Sequence, residues 1–511
     1  MINPDYYSLI KPDLIEQREY QINIINNILN KNSLVVLPTG LGKTIIALFL
    51  ISNCLFNDEK ALILAPTKPL AEQHYNSAIK FLNIDPRQII LITGELNSSK
   101  RSEIENNARL IIATPQTIAN DLKNGILSFK DFGLAVFDEC HKAVGRYAYT
   151  YIADEAKSKN IQIIGLTASP GSDKKKIKNL IEILGIENIE VRIPTDPDVY
   201  NYIMDKKIEI IRIEKNKVID EITSLLKPVI EEHLSKLRRY GFCYYKKFEN
   251  IPKTKLLEIG RLISNVKAQN YKFILLFEYI YVLNLIHAYD LVSTEGLFPF
   301  FDYFERLKNR KEKGRAVLSI LNNKNVMIAV NLAKKALEKG IEHKKMSKIV
   351  EILKNKFSGK TVIIFAQYRS TVNKLEEILN KNNIHSKAFI GKKEGITNII
   401  QKNTIEDFRK GVFKVLIATS IGEEGLDIPD VDAVIFYEPI PNEIRNIQRR
   451  GRAGRIKFGE IIILVAINTK DEVYLNVSKF RELKMQKILQ DMKKELKSNI
   501  KNKNGQQKLN L

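Results

Sequence analysis

The chain is short of cysteine, of long apolar runs and of acid relative to base, and each shortage closes off a class of protein. Only Cys54, Cys140 and Cys243 occur in 511 residues. They stand too far apart for a disulfide framework or a thiolate zinc site, and a reducing, cytoplasmic compartment fits them. No apolar run reaches the length of a membrane span: the longest candidate, 273–286, is interrupted by Glu278 and Asn284. The opening MINPDYYSLIKPDL lacks the charged-then-apolar plan of a signal peptide. Secreted, disulfide-rich and integral membrane proteins are therefore not expected. Proline is sparse, at 16 residues beside 44% hydrophobic ones, so the chain can bury real cores and is not globally disordered. Acid is outnumbered: Lys+Arg 81 against Asp+Glu 59 leaves +22. That balance points to a polyanionic partner such as nucleic acid. The plainer alternative is a solvated Lys-rich surface, which has no need to cluster.

What is present is a rhythm. At about 150 residues per domain the length suggests roughly three domains. Short β-branched runs, each followed by a helical pattern, occur at 33–38, 61–66, 89–93, 110–115, 134–139 and 163–168. They return at 361–366, 387–391, 415–420, 433–438 and 460–466. Nearly continuous apolar strands of this kind are buried on both faces, as in a parallel sheet covered by helices. The expected fold is α/β, two doubly wound parallel-sheet domains at 1–214 and 346–475. Between them, 215–345 reads as an all-helical insert: Ile219, Ile222, Leu226, Val229, Ile230, His233 and Leu237 fall on one helical stripe. Residues 476–511 read as a Lys-rich helix with a frayed polar tail. Charge clusters in these last two segments. The insert holds 25 basic and 14 acidic residues, net +11, and 481–511 hold 9 and 3, net +6. Seventeen of the 22 excess positive charges lie there, which favours a nucleic-acid surface.

Three motifs carry chemistry. Residues 37–44, LPTGLGKT, sit between a strand and a helical run. Glycines let backbone N–H groups approach phosphates and the helix start adds partial positive charge. Lys43 suits the β and γ phosphates and Thr44 a Mg²⁺ ion. A chance surface turn is the alternative, made improbable by the flanking strand and helix. The general pattern opens on glycine, and here Leu37 stands in that place. Asp138-Glu139-Cys140-His141 ends the strand LAVF; Asp138 suits the metal and Glu139 the attacking water, although an isolated Asp-Glu pair is usually a solvated turn. In 448–455, QRRGRAGR, arginines among glycines can reach across a cleft to a transferred phosphoryl group, with Arg452 and Arg455 the finger candidates. A nucleic-acid backbone patch is the other reading of such a run.

With LPTGLGKT, APTKPLAEQH, DECHKAVGRYAY, GLTASPG, ATSIGEEGLDIPDVDAVIFYEPIP and IQRRGRAGR in order, the chain resembles the superfamily 2 helicases of the archaeal Hef, Fanconi anaemia M and Mph1 family. The resemblance spans about 15–470 and includes the basic insert. It implies an ATP- and Mg²⁺-dependent DNA helicase or translocase that remodels forks and junctions, with replication or repair proteins as partners and no membrane. It assigns Arg18 and Gln21 to adenine, and Pro38, Thr39, Gly40, Leu41 and Gly42 to the phosphates. From the second RecA-like domain, Gly425 and Asp427 approach the nucleotide, and Gln448 lies at the family's final motif, among the catalytic residues. His141, Thr167, Ala168 and Ser169 couple hydrolysis to movement. Strand contacts fall on Pro66, Thr67, Lys68, Thr93, Gly94, Thr114, Pro115, Gln367, Arg369 and Thr419.

On the insert, Arg238, Arg239, Lys246 and Lys247 interleave with Tyr240, Phe242, Tyr244 and Tyr245, a pattern for backbone tracking with base stacking unless the rings are simply core. Two departures stand out. Cys140 replaces the Ala of many relatives, a difference shared with helicases acting on double-stranded RNA. No E-R-K-x-x-x-D nuclease core occurs, so fork cleavage is not expected of these residues. The rivals are a double-stranded RNA helicase and a non-catalytic nucleic-acid scaffold.

Overall fold

Strands without a polar face must be covered on both sides, and this dictates the layers. The computed structural model describes residues 9–11, 14–16, 18–38, 41–94, 108–143, 148–193, 196–200, 202, 208–391, 398–419, 431–439 and 460–508. β1 (Ser33–Val36), β2 (Lys60–Leu64), β3 (Ile89–Ile92), β4 (Leu110–Ala113), β5 (Phe132–Phe137), β6 (Gln162–Thr167) and β7 (Asn188–Val191) form a parallel sheet in the order β3-β4-β2-β5-β6-β1-β7. Alternate residues point to opposite faces. Leu34 and Val36 therefore pack with helices Ala148–Ser158 and Lys174–Leu184, and Val35 with Glu19–Ile28 and Lys43–Phe56. Each such fully buried aliphatic side chain contributes roughly 1.5–3 kcal/mol.

β8 (Ile208–Ile213), β9 (Val362–Phe365), β10 (Ser386–Phe389), β11 (Val415–Ala418), β12 (Ala433–Phe436) and β13 (Glu460–Ala466) form a second parallel sheet, ordered β10-β11-β9-β12-β13-β8. Val362 and Ile364 face one layer, Ile363 and Phe365 the other. Two doubly wound domains with a helical bundle between them are thus the architecture, as expected. The boundary at 214, however, does not follow the sheets. β8 pairs along its length with 461–466 of β13, so the second sheet takes its edge strand from before the insert. Its partly exposed residues, with Glu209 and Arg212 among the isoleucines, make a weak strand signal.

The insert comprises helices Lys217–Arg239, Lys253–Ser264, Gln269–Asp290, Leu297–Lys308, Arg315–Leu321 and Lys324–Glu338 around one core. The expectation drawn from 273–286 is corrected here. With its π turn, Leu291–Glu295, the central helix covers 27 residues and is long and apolar enough to cross a membrane by length and composition. Its Leu275, Tyr281, Val282 and Leu285 are instead core of the bundle. A second correction concerns the end of the chain. One helix, Lys470–Lys508, begins before 476 and continues where a frayed tail was expected.

The insert is fastened to the second domain by buried polar bonds. Lys345 Nζ, fully buried, lies 2.5 Å from Asp471 Oδ2, donates to the Thr294 carbonyl at 2.9 Å and sits 4.8 Å from the Tyr437 ring centroid. Tyr437 donates to the Glu295 carbonyl at 2.5 Å, Thr371 to Glu295 Oε2 at 2.9 Å, and Lys470 pairs with Asp290 at 2.6 Å.

Candidate nucleotide site and strand-binding surfaces

The loops expected to carry chemistry follow β1, β5 and β6, which are adjacent in the sheet. All three loops leave carboxyl ends, where open α/β sheets bind ligands. After β1, Leu37 is buried in the core and its carbonyl accepts a hydrogen bond from Lys43 Nζ at 3.0 Å. The leucine in place of glycine adds a buried side chain, and the carbonyl at this position holds the lysine across the loop. Gly42 starts the helix Lys43–Phe56 at φ +73, and a Cβ there would strike Gln21 Nε2. Only glycine meets both demands. Thr44 lies in the first turn of that helix, half-buried. Pro38 is half-buried and Leu41 buried; Thr39 and Gly40 lie outside the described residues.

The upstream element supports this loop from within. Tyr20 donates to the Leu41 carbonyl at 2.8 Å, and Gln21 Nε2 donates to it at 3.2 Å. Gln21 Oε1 is buried with no partner among the described residues, an acceptor left for a donor such as the exocyclic amine of adenine. Arg18 pairs with Glu16 at 3.6 Å and lies 5.6 Å from the Tyr202 ring centroid. Tyr20 itself carried no motif signal.

At the end of β5, Asp138 is 7% exposed. Its Oδ2 lies 2.8 Å from His74 Nε2, and its Oδ1 accepts from the Glu139 amide at 2.9 Å. Burial pushes the Asp138 carboxyl up, but the His74 hydrogen bond and charge, with Lys43 behind them, hold it below the usual carboxylate range. His74 ends the stretch APTKPLAEQH and sits on the buried side of the helix Lys68–Phe81, yet sequence reasoning gave it no role.

Glu139 adopts φ +48; the other described non-glycine residues at positive φ are all Asn or Asp. Such strain costs on the order of 1–3 kcal/mol and persists where surrounding structure enforces it. Tyr149 helps, donating to the Asp138 carbonyl at 2.7 Å. Glu139 Oε2 is 3.3 Å from His141 Nδ1, which is 3.0 Å from Thr167 Oγ1. Thr167 Oγ1 also accepts from the Ser169 amide at 3.1 Å. Hydrogen bonds thus join His141, Thr167 and Ser169, and Glu139 meets His141 by ion-pair proximity, so the pair after β5 and the coupling residues after β6 are neighbours. Ala168 beside them is buried.

Among the described residues no three His, Cys, Asp or Glu side chains cluster as metal ligands. Thr44 and Asp138 would hold a divalent ion only together with phosphate and water oxygens, the normal habit of Mg²⁺. The low-held carboxylate suits that role.

The strand-contact candidates gather at the same end of the first sheet, beyond β2, β3 and β4. Pro66 is half-buried, and Thr67 precedes Lys68–Phe81 at the N-cap position without a side-chain capping bond. Lys68 lies 3.9 Å from Glu72. Thr93 is buried, and a Cβ at Gly94 would meet nothing within 4 Å. Thr114 Oγ1 lies 3.0 Å from Thr117 Oγ1, whereas Pro115 is buried in the start of its helix. In the second domain the Gln367 amide donates to Glu438 at 2.5 Å and Arg369 to the Gly391 carbonyl at 3.0 Å, while Thr419 is buried. Gly425, Asp427, Gln448, Arg452 and Arg455 lie outside the described residues.

On the insert, the basic-aromatic stretch divides. Arg238 is committed inward, to the Tyr245 and Lys246 carbonyls at 2.8 Å and to Glu231 at 3.0 Å, so it staples the loop instead of standing free for a phosphate. Arg239, Lys246 and Lys247 are exposed. Phe242 and Tyr245 pack on the core, Tyr240 stands edge-on to Tyr271 at 5.2 Å, and Tyr244 is 87% exposed.

A phosphate loop, a strand-end carboxylate pair and a coupling triplet on one of two parallel-sheet domains define the class, a nucleotide-driven helicase of superfamily 2. Comparison with known proteins agrees. Residues 18–177 match the DEAD/DEAH box helicase family, 344–457 the helicase conserved C-terminal domain, and 218–340 the helical bundle of an ATP-dependent RNA helicase family. The crystal structure of the Pyrococcus furiosus Hef helicase domain superposes with a TM-score of 0.73 at 40% identity, covering 92% of this chain and 100% of that one. A Methanocaldococcus jannaschii protein provisionally named an ATP-dependent RNA helicase is 40% identical over 95% of this chain. The ATP-dependent DNA helicase mph1 of Neurospora crassa is 32% identical over 92%. The chain spans 62% and 43% of the lengths of these two relatives. It belongs to the superfamily 2 ATP-dependent helicases, in the Hef and Mph1 family.

Proposed function

We propose that the chain is an ATP-driven DNA motor that binds and remodels branched DNA, such as stalled forks and junctions, in repair or replication restart. The observation that carries the hydrolytic half is the juxtaposition of the carboxylate pair after β5 with the hydrogen-bonded coupling residues after β6, beside the phosphate loop after β1. In this reading Gln21 and Arg18 take the adenine, and Lys43 with the loop amides takes the phosphates. Thr44 and Asp138 would hold Mg²⁺, which would supply charge neutralisation to the phosphoryl group. Glu139 orients the attacking water, its strained backbone fixing the carboxylate at the end of β5. Arg452, Arg455, Gln448, Gly425 and Asp427 complete the site from the second domain as the cleft closes. Each closure shifts one domain against the other along a phosphodiester backbone. Strand binding through backbone phosphate is sequence-independent and salt-sensitive.

The DNA half rests on the clustered charge of the insert, on exposed Arg239, Lys246, Lys247 and Tyr244, and on the DNA helicase names of relatives such as the Neurospora protein. Cys140 and the RNA helicase name of the Methanocaldococcus protein favour double-stranded RNA as the second reading. One experiment separates them: steady-state ATP hydrolysis without polymer, with forked DNA, with a four-way DNA junction and with double-stranded RNA. Stimulation by branched DNA supports the proposal, and stimulation by RNA alone supports the rival. Lys43→Ala is expected to lower turnover at least about a hundredfold, the loss typical of one preorganised charge-stabilising group, while forked DNA still binds. Normal turnover in that variant removes the motor assignment.

A further inference from the structure

The helix Lys470–Lys508 is built into both motor domains. At its start, Asp471 accepts from the Ala466 amide at 2.9 Å and pairs with Lys345, while Leu475 is buried with residues of the second sheet. Ten residues further, about 15 Å along the axis, the same helix lies on the first domain. Met485, Leu489 and Met492 share one face and are buried there beside Ile163, Leu184 and Ile189. Lys493 reaches Glu190 at 3.2 Å, and Glu495 reaches Lys174 at 3.2 Å.

Met485 also touches the site. The Ser169 hydroxyl, fully buried, donates to Met485 Sδ at 2.8 Å. The backbone amide of the same Ser169 donates to Thr167 Oγ1, which lies 3.0 Å from His141 Nδ1, and that imidazole stands 3.3 Å from Glu139 as an ion-pair neighbour. A helix anchored in the second domain therefore ends its contact chain at the carboxylate assigned to the attacking water, by a route that does not pass through nucleotide.

We propose that Met485 is a positioning residue and that this helix is a mechanical link, transmitting movement of the second domain to the coupling motif of the first. A helical segment of ten residues is stiff, so displacement at its anchored start moves Met485, and with it the hydroxyl of Ser169. The inference rests on the motor reading above. It goes further in assigning to the C-terminal helix the part of nucleic-acid stimulation that acts on turnover and not on ATP binding.

The test uses the full chain and compares turnover with and without forked DNA. Met485→Leu conserves volume, a swap that cores tolerate, but removes the sulfur acceptor. Its stimulated kcat is expected to fall about fivefold, the factor that one net hydrogen bond of about 1 kcal/mol supplies. Basal turnover and the KM for ATP stay as in the unaltered chain. Leu489→Met, one turn on and buried in the same face, keeps full stimulation. In a Ser169→Ala background, Met485→Leu adds no further loss, because contacting partners are non-additive. Full stimulation in Met485→Leu, equal losses in Met485→Leu and Leu489→Met, or independent losses from Met485 and Ser169 each overturn the link. If the unaltered chain shows no stimulation by any polymer, the motor reading falls first and takes this inference with it.

Discussion

Replacing Lys345 by methionine tests how the insert is fastened to the second domain. The ammonium is fully buried against Asp471, the Thr294 carbonyl and the Tyr437 ring. Lys345→Met leaves Asp471 in the protein interior with the Ala466 amide still donating to its carboxylate, and takes the lysine from the Thr294 carbonyl. Breaking a buried pair on one side costs roughly 3–5 kcal/mol. The cost depends on pH. Burial already raises the Asp471 carboxyl, and Lys345 opposes that rise. Without the lysine it rises further. A carboxyl raised in the folded state binds protons more readily there than in the unfolded chain, so its stabilising contribution is present at low pH and is lost as pH climbs through the folded value. Destabilisation by Lys345→Met is therefore larger at pH 8 than at pH 5.5. Replacing both partners, Lys345→Met with Asp471→Leu, costs less than the single change at pH 8, since no charge stays buried. The chain has no tryptophan, so urea unfolding is best followed by far-ultraviolet circular dichroism. A loss below about 1 kcal/mol at pH 8, against the 3–5 kcal/mol expected of a broken buried pair, or a loss independent of pH, refutes the reasoning.

Two further outcomes follow from the same geometry. His343 is buried, its Nδ1 accepting from the Lys345 amide at 3.1 Å and its Nε2 3.3 Å from the Ser293 carbonyl. Burial, and then the Lys345 charge, lower it to about 3. A depressed histidine stabilises above its unfolded value of about 6.5 and loses that contribution as pH falls below it, so between pH 6.5 and 5 the loss reaches about 2 kcal/mol. Asn at 343 keeps the cap acceptor without titrating and should flatten that part of the stability profile; an unchanged acid slope in unfolding midpoints counts against it. Tyr20→Phe removes the donor to the Leu41 carbonyl and should raise the KM for ATP roughly fivefold, as expected for one net hydrogen bond, with little change in kcat. An unaltered KM would show that Tyr20 does not hold the phosphate loop.

Much of the machine was legible in sequence, for a physical reason. A phosphate loop needs strand, turn and helix in immediate succession, so 37–44 announce themselves, and Asp138-Glu139 is marked by the strand before it. The insert was readable because Ile219, Ile222, Leu226 and Leu237 repeat at helical spacing. Other features were not readable. β8 is a half-exposed edge strand whose partner lies about 250 residues away. Arg238 looks like a phosphate contact by composition, yet its planar donors match two nearby carbonyls and Glu231 better than they serve solvent.

The sequence by itself determined the candidate chemistry: which residues form the loop proposed for phosphate, which carry the carboxylates, and that two parallel sheets flank a basic helical bundle. These follow from contiguous patterns and from local periodicity. Tertiary structure alone decided what supports that chemistry. His74 meets Asp138 across 64 positions, Lys345 meets Asp471 across 126, and Met485 meets Ser169 across 316. No local signal marks such pairs, because each depends on surfaces of separate elements arriving together. The surplus charge shows the same division. Its sign and clustering are plain in the residue order, but which lysines and arginines stand exposed was settled only by packing.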